Sequence, residues 1–93
     1  MLEIDKIEKT ITIWEAKRET LSVDDIRQLF FYYRNIKYFC PEFCDYNIEC
    51  NLITAISIEP SQQYNDELFM LQRLIPDFKP TIKCFSKYGI HPS

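Results

Sequence analysis

Glycine occurs once in the 93 residues, at Gly89. Tight hairpins and barrel corners draw on glycine for left-handed backbone, so its scarcity argues against a β-sandwich or barrel. It also removes the glycine-rich phosphate loops of the common nucleotide-binding motifs. Histidine is equally rare: the sole copy is His91, third from the end. A Ser-His-Asp or Cys-His nucleophile would have to be built on that one side chain. No apolar run approaches the roughly 20 residues that span a bilayer; the longest runs only from Leu52 to Ile58. The opening residues are charged from Glu3 onward and lack the apolar core of a secretory signal. The reading is one soluble, cytoplasmic, non-catalytic domain over residues 1–93, with reduced thiols and no membrane segment.

Positive charge is also missing from a long stretch. Between Lys37 and Arg73 there is no Lys or Arg, while the interval holds Glu42, Asp45, Glu49, Glu59, Asp66 and Glu67. The formal charge of −3 therefore conceals an acidic interior flanked by net positive segments. Such polarity either keeps a face solvated or steers an oppositely charged partner.

What is present is apolar and aromatic. The chain is 46% hydrophobic and holds seven Phe, six Tyr and one Trp, enough to build a core without crosslinks. Residues 23–39 place Ile26, Leu29, Phe30, Tyr33 and Ile36 at helical spacing. Ser22 stands at the N-cap position, with Asp24 and Asp25 in the first turn. Residues 62–75 repeat the pattern with Tyr64, Leu68, Leu71 and Ile75 behind a Ser61 cap.

Residues 9–15, 48–58 and 81–86 are rich in β-branched side chains and read as strand or helix. Read as strands, they make a small α/β domain of β-α-β-α-β order. Two spacings favour helix: Ile4, Ile7, Ile11 and Trp14 at intervals of three and four, and Cys44, Ile48, Leu52 and Ile56 at intervals of four. Acids also precede bases along most segments, as a helix dipole prefers. The last segment ends at Gly89 and Ile90, which suits a helix closed by a left-handed glycine. The fold expected is an all-α compact bundle of four to five short helices, with the α/β order as the alternative.

Cys40, Cys44 and Cys50 fall within eleven residues. Cys40 and Cys44 resemble half a zinc site that Cys84 and His91 would complete. The plainer reading makes them small apolar core residues, and no cofactor or metal is assigned. Helix 23–39 carries more aromatics than one buried stripe needs: Phe31, Tyr32 and Tyr38 lie off it, and Tyr, Phe and Arg are favoured in interface hot spots.

These features point to a small acidic inhibitor, of immunity or anti-defence type, that occludes a basic partner without catalysis. The partner would be a nuclease or a nucleic-acid-binding complex, and no direct contact with nucleic acid is expected. Glu42, Asp45, Glu49, Asp66 and Glu67 would make the contact, and Phe31, Tyr32 and Tyr38 would anchor it or build a homodimer. The alternative is a small zinc-stabilised domain that contacts nucleic acid.

Overall fold

The structure, a computed structural model, describes residues 1–17, 21–55 and 58–84. Strand β1 (Leu2–Asp5) turns back into β2 (Thr10–Lys17), and helix α1 (Val23–Phe39) follows. A short 3-10 turn at Pro41–Phe43 leads into β3 (Asn47–Thr54), then helix α2 (Gln62–Leu74) and β4 (Thr81–Cys84). The strands form one mixed sheet in the order β1-β2-β3-β4, with β1 antiparallel to β2 and the other neighbours parallel.

Both helices start and stop where the sequence provides the chemistry. At α1 the Ser22 hydroxyl accepts from the Asp25 N–H, while the Asp25 carboxylate accepts from the Ser22 N–H at 2.8 Å. This capping box satisfies two donors that a helix start leaves open. The Ser61 hydroxyl accepts from the Tyr64 N–H at α2. Each helix ends just before a proline, where Cys40 and Ile75 take extended ψ values of 88° and 96°. The proline ring disfavours helical backbone in the residue preceding it.

The connections decide which face of the sheet is covered. β2, β3 and β4 lie side by side in chain order, so two right-handed crossovers place both helices on the same face. Between that face and the helices sits the core: Ile11, Ile13, Cys50 and Leu52 from the sheet, Ile26, Leu29, Phe30 and Tyr33 from α1, and Tyr64 from α2. Phe78, fully buried after α2, meets the Phe30 ring edge-on at 5.1 Å and the Tyr33 ring at 5.4 Å.

This architecture corrects the all-α expectation and the helical character assigned with it: among the described residues there are two helices and a four-stranded sheet. The β-α-β-α-β order holds from β2 onward, with β1 as an added strand. Residues 4, 7, 11 and 14, read as one helical stripe, occupy different environments. Ile4 lies on the edge strand, Ile7 is 92% exposed in the turn, Ile11 is in the core, and Trp14 faces the other side of the sheet. Ile56, the segment from residue 85 with Gly89 and Ile90, and His91 lie outside the described residues. Among the described residues, no helix is long and apolar enough to cross a membrane.

Candidate functional site

Alternation along each strand assigns every second residue to the face away from the helices. The pairing register arranges these residues in rows across the sheet. Glu3, Thr12 and Glu49 make one row; Asp5, Thr10 and Asn47 make the next. Trp14, Asn51 and Thr81 form a third, and Ala16, Ile53 and Lys83 a fourth. The first two rows hold three exposed carboxylates and no base. With strands about 4.8 Å apart, the Glu3 and Glu49 backbones stand roughly 10 Å from each other across Thr12. In the third row, Asn51 is buried and its side-chain carbonyl accepts the Thr81 hydroxyl. The Lys83 ammonium lies 5.3 Å from the centre of the Trp14 ring. The face is therefore acidic at one end and aromatic-cationic at the other.

The β1–β2 turn fixes the acidic end. The Asp5 carboxylate oxygen Oδ1 accepts from the backbone N–H groups of Ile7 and Glu8, both at 3.0 Å. Lys9 then takes a left-handed φ of 53°, a position where glycine would be favoured and none is present.

The residues assigned to the partner contact by sequence do not gather on one face. Asp45 is exposed and paired with Lys9 at 2.8 Å, and the bond from that ammonium holds its carboxyl below the usual range. Glu67 is mostly covered by Arg27, which donates to it from Nε and Nη2 at 3.1 and 3.0 Å. Asp66 accepts from the Gln62 amide on exposed α2. Glu42 is exposed in the 3-10 turn, and Glu49 alone of the five stands on the sheet face that points away from α1 and α2. Sequence reasoning missed Glu3 and Asp5. Their signal was the strict Leu2-Glu3-Ile4-Asp5 alternation, which marks a strand with one charged face.

The aromatics of α1 do lie outside the core. Phe31 is 50% and Tyr38 58% exposed. The Phe31 ring packs against Tyr32 at 6.2 Å, and the Arg34 guanidinium carbon lies 5.6 Å from its centre. Tyr32 also borders an apolar groove of about 400 Å³ between α1 and β1, with Leu2, Ile13, Ile36, Asn35 and Glu15.

The four cysteines are spread through the fold. Cys40 and Cys44 flank the 3-10 turn before β3, whereas Cys84 pairs with Thr54 at the far end of that strand. Seven residue steps of β3 separate the two ends by roughly 23 Å. One tetrahedral zinc needs its sulfurs within about 4 Å of each other, so Cys84 cannot share an ion with Cys40 and Cys44. Among the described residues no group of three metal-ligating side chains converges. Cys50 is core, and burial pushes its thiol up to about 12. Native protein treated with iodoacetamide at pH 8 is expected to label at exposed Cys44 and leave Cys50 unmodified until denaturant is added, as read by peptide mass mapping. Rapid native labelling of Cys50 would contradict its place in the core.

A scan against family models, a search of curated proteins and a search of solved structures each returned no match. They lend no support to the inhibitor or immunity assignment, and the functional reading rests on the geometry.

Proposed function

We propose that this chain is a non-catalytic binding protein that recognises a basic protein surface through the acidic end of the sheet face that points away from α1 and α2. One observation carries the reading: two adjacent rows of that face present Glu3, Asp5 and Glu49, all exposed, with no base among them. Parallel sheets ordinarily have both faces covered, and among the described residues no helix lies here. The carboxylates ride on paired strands, so their spacing is fixed before a partner arrives, and little ordering entropy is lost on binding. Thr10 and Thr12 between them supply hydroxyls and no competing charge. Clustered carboxylates of this kind raise the encounter rate with a cationic site and reject anionic ones.

The acids named from sequence contribute unequally under this reading. Glu49 is part of the face. Asp45 and Glu67 already have basic partners within the chain, and reversing them would disturb those pairs.

The test is capture from a lysate of the source organism at low and high salt, with the wild-type chain beside a Glu3→Lys, Asp5→Lys, Glu49→Lys variant. The expected result is a basic protein, retained at low salt, released at high salt, and bound at least about a hundredfold more weakly by the variant, equivalent to about 2.7 kcal/mol. Equal binding by a variant with unchanged far-UV dichroism would sink the proposal. A salt-resistant partner lost instead on Phe31→Ala and Tyr38→Ala would move the contact to α1.

A further inference from the structure

The outer edge of β1 indicates how such a partner docks. Met1 and Trp14 are mutually bonded: the Trp14 N–H donates to the Met1 carbonyl and the Met1 terminal ammonium donates to the Trp14 carbonyl, each at 2.8 Å. Mutually bonded pairs alternate with non-bonded ones along an antiparallel ladder. Glu3 with Thr12 and Asp5 with Thr10 are therefore bonded pairs, and the N–H and C=O groups of Leu2 and Ile4 point away from β2. Among the described residues, no strand pairs with this edge.

The two faces of the edge differ in chemistry. On the helix side, Leu2 and Ile4 are 50% and 42% exposed, and Leu2 opens onto the groove with Ile13, Tyr32 and Ile36. On the other side stand the carboxylates of Glu3 and Asp5; Asp5 keeps Oδ2 clear of the turn bonds made by Oδ1. A strand added here meets apolar surface with one set of alternate residues and negative charge with the other.

We infer that β1 accepts an extended segment of a protein partner as a fifth strand, and that this segment alternates apolar with basic residues. Its apolar side chains enter the groove between β1 and α1, its basic side chains oppose Glu3 and Asp5, and its backbone bonds to Leu2 and Ile4. This rests on the basic-partner reading and specifies its mode of contact. A second copy of the chain suits the edge poorly. In the antiparallel register pairing Leu2 with Ile4, Glu3 opposes its own image; in the register pairing Ile4 with itself, Glu3 opposes Asp5. Directly opposed like charges destabilise a strand pair.

The experiment uses the full ¹⁵N-labelled chain and three acetylated octapeptides: alternating lysine and valine, the same residues as two blocks, and the alternating peptide N-methylated at its valines. In the proposed pairing the valine N–H groups face β1, so methylation removes those bonds and keeps the charge. Only the alternating peptide is expected to bind well, slowing amide exchange at Leu2 and Ile4. The block and methylated peptides should be at least about tenfold weaker. Methylated peptide binding within about twofold, or alternating peptide binding without protection of Leu2 and Ile4, would overturn strand addition. So would no binding by any peptide, or edge protection that rises with protein concentration in the absence of peptide. The basic-partner reading falls separately, on the charge-reversed variant in lysate capture, so the two failures are told apart.

Discussion

Raising the pH from 8.5 to 11 is expected to remove about 4 kcal/mol of folding stability. Burial raises the Cys50 thiol from 9.0 to about 12. Burial, with help from the nearby Asp25 carboxylate, raises the Tyr64 phenol from 10.0 to about 12. Both groups hold their protons more tightly in the folded chain, so in this window the unfolded chain ionises first and is favoured as pH rises. Each tenfold difference in proton affinity between the folded and unfolded chain is worth about 1.4 kcal/mol. Of the loss carried by these two buried groups, Cys50 accounts for roughly two thirds at pH 11 and Tyr64 for about one third. Lys17 and Lys37, raised by their bonds to Asp25 and Tyr33, add to it at the top of the range. The contribution is intact below pH 9 and vanishes as pH passes through the folded values. Urea denaturation midpoints across the range measure it. Cys50→Ala lowers the starting stability by opening a small cavity, yet its decline with pH should be less than half that of the wild type. Equal declines would mean that Cys50 is not buried in the core.

Phe78→Ala is expected to cost about 3–5 kcal/mol, the usual range for emptying a buried phenylalanine site. Phe78 is fully buried and holds two rings of α1 at once, Phe30 edge-on and Tyr33 tilted. Its backbone carbonyl also accepts from the Gln72 amide at 2.9 Å, which fastens the segment after α2 to that helix. A domain of this size has a total stability of roughly 5–15 kcal/mol, so the variant should lose a large share of it and unfold at a clearly lower urea concentration than the wild type. Phe69→Ala is the control, because Phe69 is 64% exposed; its cost should fall within about 0.5 kcal/mol. Comparable losses for both variants would contradict the packing described.

The helices were legible because their signals are local. Ser22 and Ser61 cap them, prolines follow them, and residues 26, 29, 30 and 33 are spaced along one face of α1. The sheet was harder to read because its signals are ambiguous at short range. Cys44, Ile48 and Leu52 recur every four residues, but four is even, so the same spacing keeps Ile48 and Leu52 on one face of a strand. Ile4, Ile7, Ile11 and Trp14 imitate a helical stripe only because a turn at residues 6–9 interrupts the alternation. The β-branched content of Ile11, Thr12 and Ile13 pointed correctly to a strand.

The charge pattern was legible along the chain and misleading in space. A β-α crossover brings residues some 30 to 40 positions apart into contact. That distance joins Lys9 to Asp45, Arg27 to Glu67 and Lys37 to Asp77. The base-free interior therefore receives bases from the segments flanking it. The carboxylates left together are Glu3, Asp5 and Glu49, from two segments that the sequence keeps far apart and β2 brings into adjacent rows.

The candidate face depends on residues 2–5 forming a strand beside residues 10–17. Nuclear Overhauser contacts test that placement most directly. Non-bonded antiparallel pairs hold their Cα atoms about 4.5 Å apart. Strong Hα–Hα cross-peaks are therefore expected for Leu2 with Ile13 and for Ile4 with Ile11. Absence of both, with helical contacts running from Ile4 to Ile7 and from Ile11 to Trp14, would contradict the sheet, the acidic rows and the docking edge together.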